Sequence, residues 1–235
     1  MQIKCIWEHN GNDSTIFCEE FIGAFTRGKT KEIAFSKIKS EIVSYQNWLN
    51  REIVDMLEPV IIQEYKTSLQ VCDAETEVIF DSEKTPFNFD EYYKLKDIAL
   101  KSAKDFLNLY ESVPDKNISS LSQRKTFYGE LPLTAKEMYE HTKSVNSYYF
   151  GEIDINVSNE GSIYECRKRG FDLVEKNSEF LNNQVVLGSY NELWSLKKVL
   201  RRFIWHDRIH AKAMYRMCNK TFGDNSVDNS FKFII

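Results

Sequence analysis

Two histidines one helical turn apart, His206 and His210 in WHDRIHAKAMYR (205–216), are the side chains of this sequence best spaced for metal chemistry. At 100° and 1.5 Å per residue, an i,i+4 pair lies on one helix face roughly 6 Å apart along the axis, so both imidazoles can reach a single ion. A third, His141, stands in EMYEHTKSVNSYYF (137–150). Leu196, Val199, Phe203, Met214 and Met217 recur on the arc of His206 and His210, while Met138, Val145 and Tyr148 share that of His141. Three of the four histidines therefore fall on stripes that the hydrophobic pattern turns inward. Buried imidazoles need partners for their ring nitrogens. Spacing alone leaves two readings open: one shared metal ion, or three core histidines hydrogen-bonded separately. His9 lies beside a turn and is expected to face solvent. Asp207, next to His206, could orient a ligand ring, but pairing with an arginine is the simpler role for it. Tyr148 and Tyr149 fit a pocket wall or plain core.

The elements that must position these residues divide at the polar segment DSEKTPFN (81–88). Residues 83–235 are expected to form a four-helix bundle. Asn88 with Glu91, Thr134 with Glu137, Ser162 with Glu165 and Ser189 with Glu192 each repeat the spacing of a capping box, in which side chains satisfy the free N–H groups of a helix start. The last helix is expected over 192–217, and the tail 223–230 as a loop. Residues 1–82 read as a small α+β unit. Alternation over Ile3, Cys5 and Trp7, a turn at Asn10-Gly11 and strand-like sequence at 15–25, 61–71 and 75–80 surround one helix. Its apolar stripe runs through Ala34, Ile38, Ile42, Tyr45, Leu49, Ile53 and Met56 to a stop at Pro59.

Hydrophobic residues form 42% of the 235 and charged residues 28%, enough for a buried core. The net charge of −4, with Lys and Arg dispersed, argues against nucleic acid or an anionic membrane as partner. No stretch approaches a membrane span or a signal peptide. Five scattered cysteines without a CxxC pair read as reduced thiols, and the expected location is cytoplasmic. No GxSxG, GxGxxG, P-loop or HExxH motif points to other chemistry.

His141 within its segment and the HxxxH of 205–216 make residues 85–220 resemble the DinB-like bundles, which include bacterial thiol-dependent transferases. The resemblance implies that His141, His206 and His210 are a metal-binding triad. It also implies a divalent ion, zinc or nickel, as cofactor. A small-molecule thiol would be the partner and thiol S-transfer the activity. A metal- or ligand-binding protein without turnover, or a toxin–antitoxin-like interaction protein, are the alternatives. Residues 1–82 are similar to the HicB-like antitoxin fold on the pattern Gly23-Ala24-Phe25-Thr26-Arg27-Gly28-Lys29-Thr30 followed by Lys31-Glu32-Ile33-Ala34. Ile22 and Ile33 depart from that family's usual proline and glutamate, and no DNA-binding ribbon follows. The module is therefore expected to serve packing or homodimerisation, and a chain starting near Lys84 is expected to keep its metal.

Overall fold

The computed structural model describes residues 2–53, 58–123, 125–126 and 129–234. The fold is mixed α+β. Strands β1 (Gln2–His9), β2 (Ser14–Cys18), β3 (Phe25–Gly28) and β4 (Glu58–Lys66) form one sheet in the order β3-β2-β1-β4. β1 runs antiparallel to β2 and parallel to β4. Ile3, Cys5, Ile16 and Cys18 pack with Ile38, Ile42 and Tyr45; Ile6 and Phe17 join a second cluster with Val78, Phe80 and Trp205. Both faces of the sheet are thus covered.

Besides the strand expected over 61–71, which spans Glu58–Lys66 instead, three expectations for this half need correction. The strand expected over 15–25 breaks after Cys18, where the Cys18 N–H donates to the Ala24 carbonyl around a turn. Gly23 sits in that turn at φ +87°, and a Cβ there would stand 2.5 Å from Ile204 Cγ2. The single helix expected from Ala34 to Met56 is two, α1 (Lys31–Phe35) and α2 (Ile38–Trp48). It stops early because Asn50 adopts the left-handed conformation that asparagine tolerates. Ile53 is accordingly exposed, and Met56 lies outside the described residues.

The third correction concerns 75–80, which has no regular secondary structure and joins no ladder. Its backbone groups bond to side chains instead. Buried Glu8 accepts from Thr76 Oγ1 and from the Glu77 and Val78 N–H groups. Arg202 donates to the Thr76 carbonyl (2.6 Å), Lys198 to Glu77 (2.7 Å) and Arg201 to Val78 (2.8 Å). These side chains do for the segment what a neighbouring strand would otherwise do.

Four long helices follow: α3 (Phe89–Ser112), α4 (Ala135–Gly151), α5 (Ile163–Val174) and α6 (Leu196–Phe222). α3 and α4 each pack on both α5 and α6, closing a ring about one core. Asn88 caps α3, and Thr134 and Ser162 head full capping boxes on α4 and α5, as the sequence predicts. A Cβ on Gly170 of α5 would overlap the Phe150 ring of α4, so the glycine permits their close approach. The fourth expected cap is wrong. Ser189–Asn191 is a single 3₁₀ turn with Tyr190 at φ 59°, and Leu193–Trp194 pairs with Val186–Leu187. α6 starts four residues later than expected, at Leu196. Ser195 caps it by accepting from the Lys198 N–H, and Glu192 pairs with the Lys198 ammonium instead.

The two halves share buried contacts. Arg208 of α6 donates to Glu41 of α2 at 2.6 Å, Arg201 to the Val78 carbonyl at 2.8 Å, and Trp48 to Asp105 of α3 at 2.6 Å. Gly223–Asn229 is largely coil, as expected, but the tail then returns to bury Phe231 and Phe233, with Phe231 stacked on Trp48.

Candidate metal centre

α4 and α6 face each other, and their contact brings His141, His206 and His210 together. Ring centroids lie 5.2 Å apart for His141–His206, 4.7 Å for His141–His210 and 4.3 Å for His206–His210. One nitrogen from each ring lies within 4.8 Å of the other two, a group able to hold one metal ion. His206 is buried, His210 half-buried, and His141 stands at the solvent-facing edge of the cluster. The helices supply this by their regular pitch. Leu196, Val199, Phe203, Met214 and Met217 are all buried beside the α6 pair, as are Met138 and Val145 beside His141. Tyr148, expected on the same inward stripe, is instead exposed; Tyr149 is the buried one, packed on His206, Phe203 and Trp194.

The electrostatics favour neutral rings. Burial lowers the pKa of His206 well below the ordinary histidine value, and the neighbouring His210 and His141 push it further down. Burial, with His141 and Arg27, lowers His210 to about 3; burial alone lowers His141. Neutral imidazole carries the lone pair a metal needs. The Nδ1 atom of His206 is buried with no hydrogen-bond partner among the described residues. A buried polar nitrogen without a partner carries a free-energy cost of about 1–3 kcal/mol, which a coordinated cation would remove.

Asp207 does not bond to a histidine. Fully buried, it accepts from both Nη atoms of Arg167 and from Ser102 Oγ, while Arg167 also donates from Nε to Asn146. This network joins α3, α4, α5 and α6 behind the histidines. His9 is removed from the site: it stacks on Trp7 and bonds Glu64, with only 14% of its side chain exposed, so it is less solvated than its turn position predicts.

A cleft of about 500 Å³ opens onto the three rings. Met138, Trp205 and Ile209 give it apolar walls; Glu130 comes from a short ribbon before α4, in which Lys125–Thr126 pairs with Gly129–Glu130. The front half supplies Arg27 and the segment Cys72–Glu75. No local pattern marks these last residues, because the sheet brings them in from far along the chain. Burial raises the Cys72 thiol above its ordinary value, helped by Asp73, so it stays protonated at neutral pH. Among the described residues no helix is long and apolar enough to cross a membrane. No described protein family, no curated protein and no solved structure matches this chain.

Proposed function

We propose that His141, His206 and His210 hold one divalent metal ion, zinc or nickel, and that the protein is a metal-dependent transferase acting with a low-molecular-weight thiol. The observation that carries the metal reading is the unpartnered, buried Nδ1 of His206 beside two further neutral imidazoles. Three nitrogens are the donor set of open, catalytic sites rather than of closed structural ones, and imidazole suits zinc and nickel. The resemblance of 85–220 to DinB-like bundles supports the same donors.

Bound there, such an ion would favour a small thiol as its thiolate at neutral pH. The chain's own residues shape the cleft around that thiol. Met138, Trp205 and Ile209 offer an apolar wall, and Arg27, Glu75 and Glu130 offer charged groups to its polar part. Cys72 also lines this cleft, its thiol raised above the ordinary value by burial and Asp73.

The test is thioether formation from L-cysteine and 1-chloro-2,4-dinitrobenzene, followed by absorbance. Zinc- or nickel-loaded protein is expected to exceed the spontaneous rate, lose the excess on chelation, and regain it on reloading. His206→Ala is expected to stay at the spontaneous rate. Metal-loaded protein with no acceleration over a panel of small thiols and electrophiles would reduce the site to binding without turnover.

A further inference from the structure

A second cleft, of about 460 Å³, lies between β3, α2, α6 and the returning tail. Five cationic side chains line it, Arg27, Lys37, Arg208, Lys212 and Arg216, against one carboxylate, Glu41. Arg208, Lys212 and Arg216 follow one another at i, i+4 and i+8 on α6, an order that places like charges side by side at a cost to the helix. Around α6 they lie roughly 100–180° from the mean direction of the two histidines, with Arg208 on the opposite face. Arg27 lines both clefts.

Arg208 makes this more than a basic surface. It is 1% exposed. Its Nη2 donates to Glu41, and its guanidinium stands 5.1 Å from the ring centroids of both Tyr45 and Trp48. Nε and Nη1 are buried without a hydrogen-bond partner among the described residues. Aromatic faces stabilise the cation but do not accept these in-plane N–H groups, which are the donors suited to a tetrahedral oxyanion. The cleft's lining thus carries more positive than negative charge.

We propose that this cleft binds a small phosphate-bearing molecule, with Arg208, Lys212 and Arg216 as the phosphate donors and Arg27 at its border with the histidine cleft. The recess has the volume of a small-ligand site, and Phe25 and Phe233 wall it. A polynucleotide would need a long basic track, which a chain of net charge −4 with dispersed cations does not provide. The proposal stands apart from the metal reading.

Calorimetric titration of the full chain with ribose 5-phosphate, with ribose as control, tests it. One saturable site per chain is expected for the phosphate and none for the sugar. Lys212→Ala combined with Arg216→Ala removes two charge-assisted contacts and is expected to weaken binding on the order of a hundredfold. Lys212 is half-buried and Arg216 exposed, so near-ultraviolet circular dichroism should be unchanged. Inorganic phosphate is also expected to slow acetylation of Lys212 in the wild type, read by mass spectrometry, a measurement that needs no variant. The proposal is overturned by absent saturation, by unaltered binding in the double variant, or by no protection of Lys212. Binding lost in His206→Ala but kept in the double variant would place the anion on the histidines and overturn it too. So would a single-stranded oligonucleotide that displaces ribose 5-phosphate at lower concentration.

Discussion

At the scale of single residues, the burial of ionisable groups decides both the site and its cost. A free histidine takes up a proton near pH 6.5, whereas His210 in the fold does so only at about 3. Between those values the unfolded chain binds more protons than the folded one, so stability rises with pH and falls on acidification. His206 acts in the same direction. Metal-free protein should therefore lose urea resistance as pH drops below 6.5, by up to about 1.4 kcal/mol per pH unit for each histidine that stays neutral. His210→Asn should flatten that slope; an unchanged slope would mean that other groups control the acid transition. Asp207 gives a second prediction. Asp207→Asn leaves Arg167 buried without its counter-charge and should cost about 3–5 kcal/mol in denaturant unfolding. Because Asp207 touches no histidine, the folded fraction of that variant should still hold metal in full. Loss of metal from folded Asp207→Asn would show that the carboxylate acts on the ligands after all.

Elements are where the sequence is read best and where its errors are most instructive. A Ser-x-x-Glu spacing predicts a helix start only if the residues after it can continue the helix. At Thr134 and Ser162 they do. At Ser189 the chain turns through Tyr190 at positive φ and spends Leu193–Trp194 on a ribbon, so the start passes to Ser195, whose third neighbour is Lys198. Ser195→Ala should consequently cost about 1 kcal/mol of stability, while Ser189→Ala should change it by less than about 0.5 kcal/mol. Equal effects would deny Ser195 the cap. The histidine placement was legible because period-3.6 patterning survives over the long helices α4 and α6. The β half was less so. Segment 75–80 has strand composition, but its partners are Glu8 and the basic side chains of α6, contacts more than sixty residues apart that no local pattern reveals. The same distance hid Arg27 and Cys72–Glu75 as walls of the histidine cleft.

For the molecule as a whole, the front half and the helices are joined by charge as well as by apolar packing. Removing residues before Lys84 would take Glu41 from Arg208 and Glu83 from Arg201, together with the carbonyls that hold Lys198 and Arg202. It would also expose the apolar surface that Trp48 and Tyr45 cover. A chain starting at Lys84 is thus predicted to lose its helical circular dichroism or precipitate, rather than persist as a metal-binding bundle. A soluble, helical fragment with full metal content would show instead that the helices stand alone. Gly23→Ala tests the same junction with one methyl group, which would meet Ile204 at the sheet–α6 contact in a backbone conformation that favours glycine. About 1–3 kcal/mol of destabilisation is expected in thermal unfolding, and none would mean the contact relaxes freely. The three-histidine site itself is tested most directly by elemental analysis of untagged protein, dialysed after exposure to zinc and nickel. About one ion per chain is predicted, falling to near zero when His141, His206 and His210 are together replaced by Ala in a variant that remains helical. A helical triple variant holding as much metal as the wild type would contradict the site.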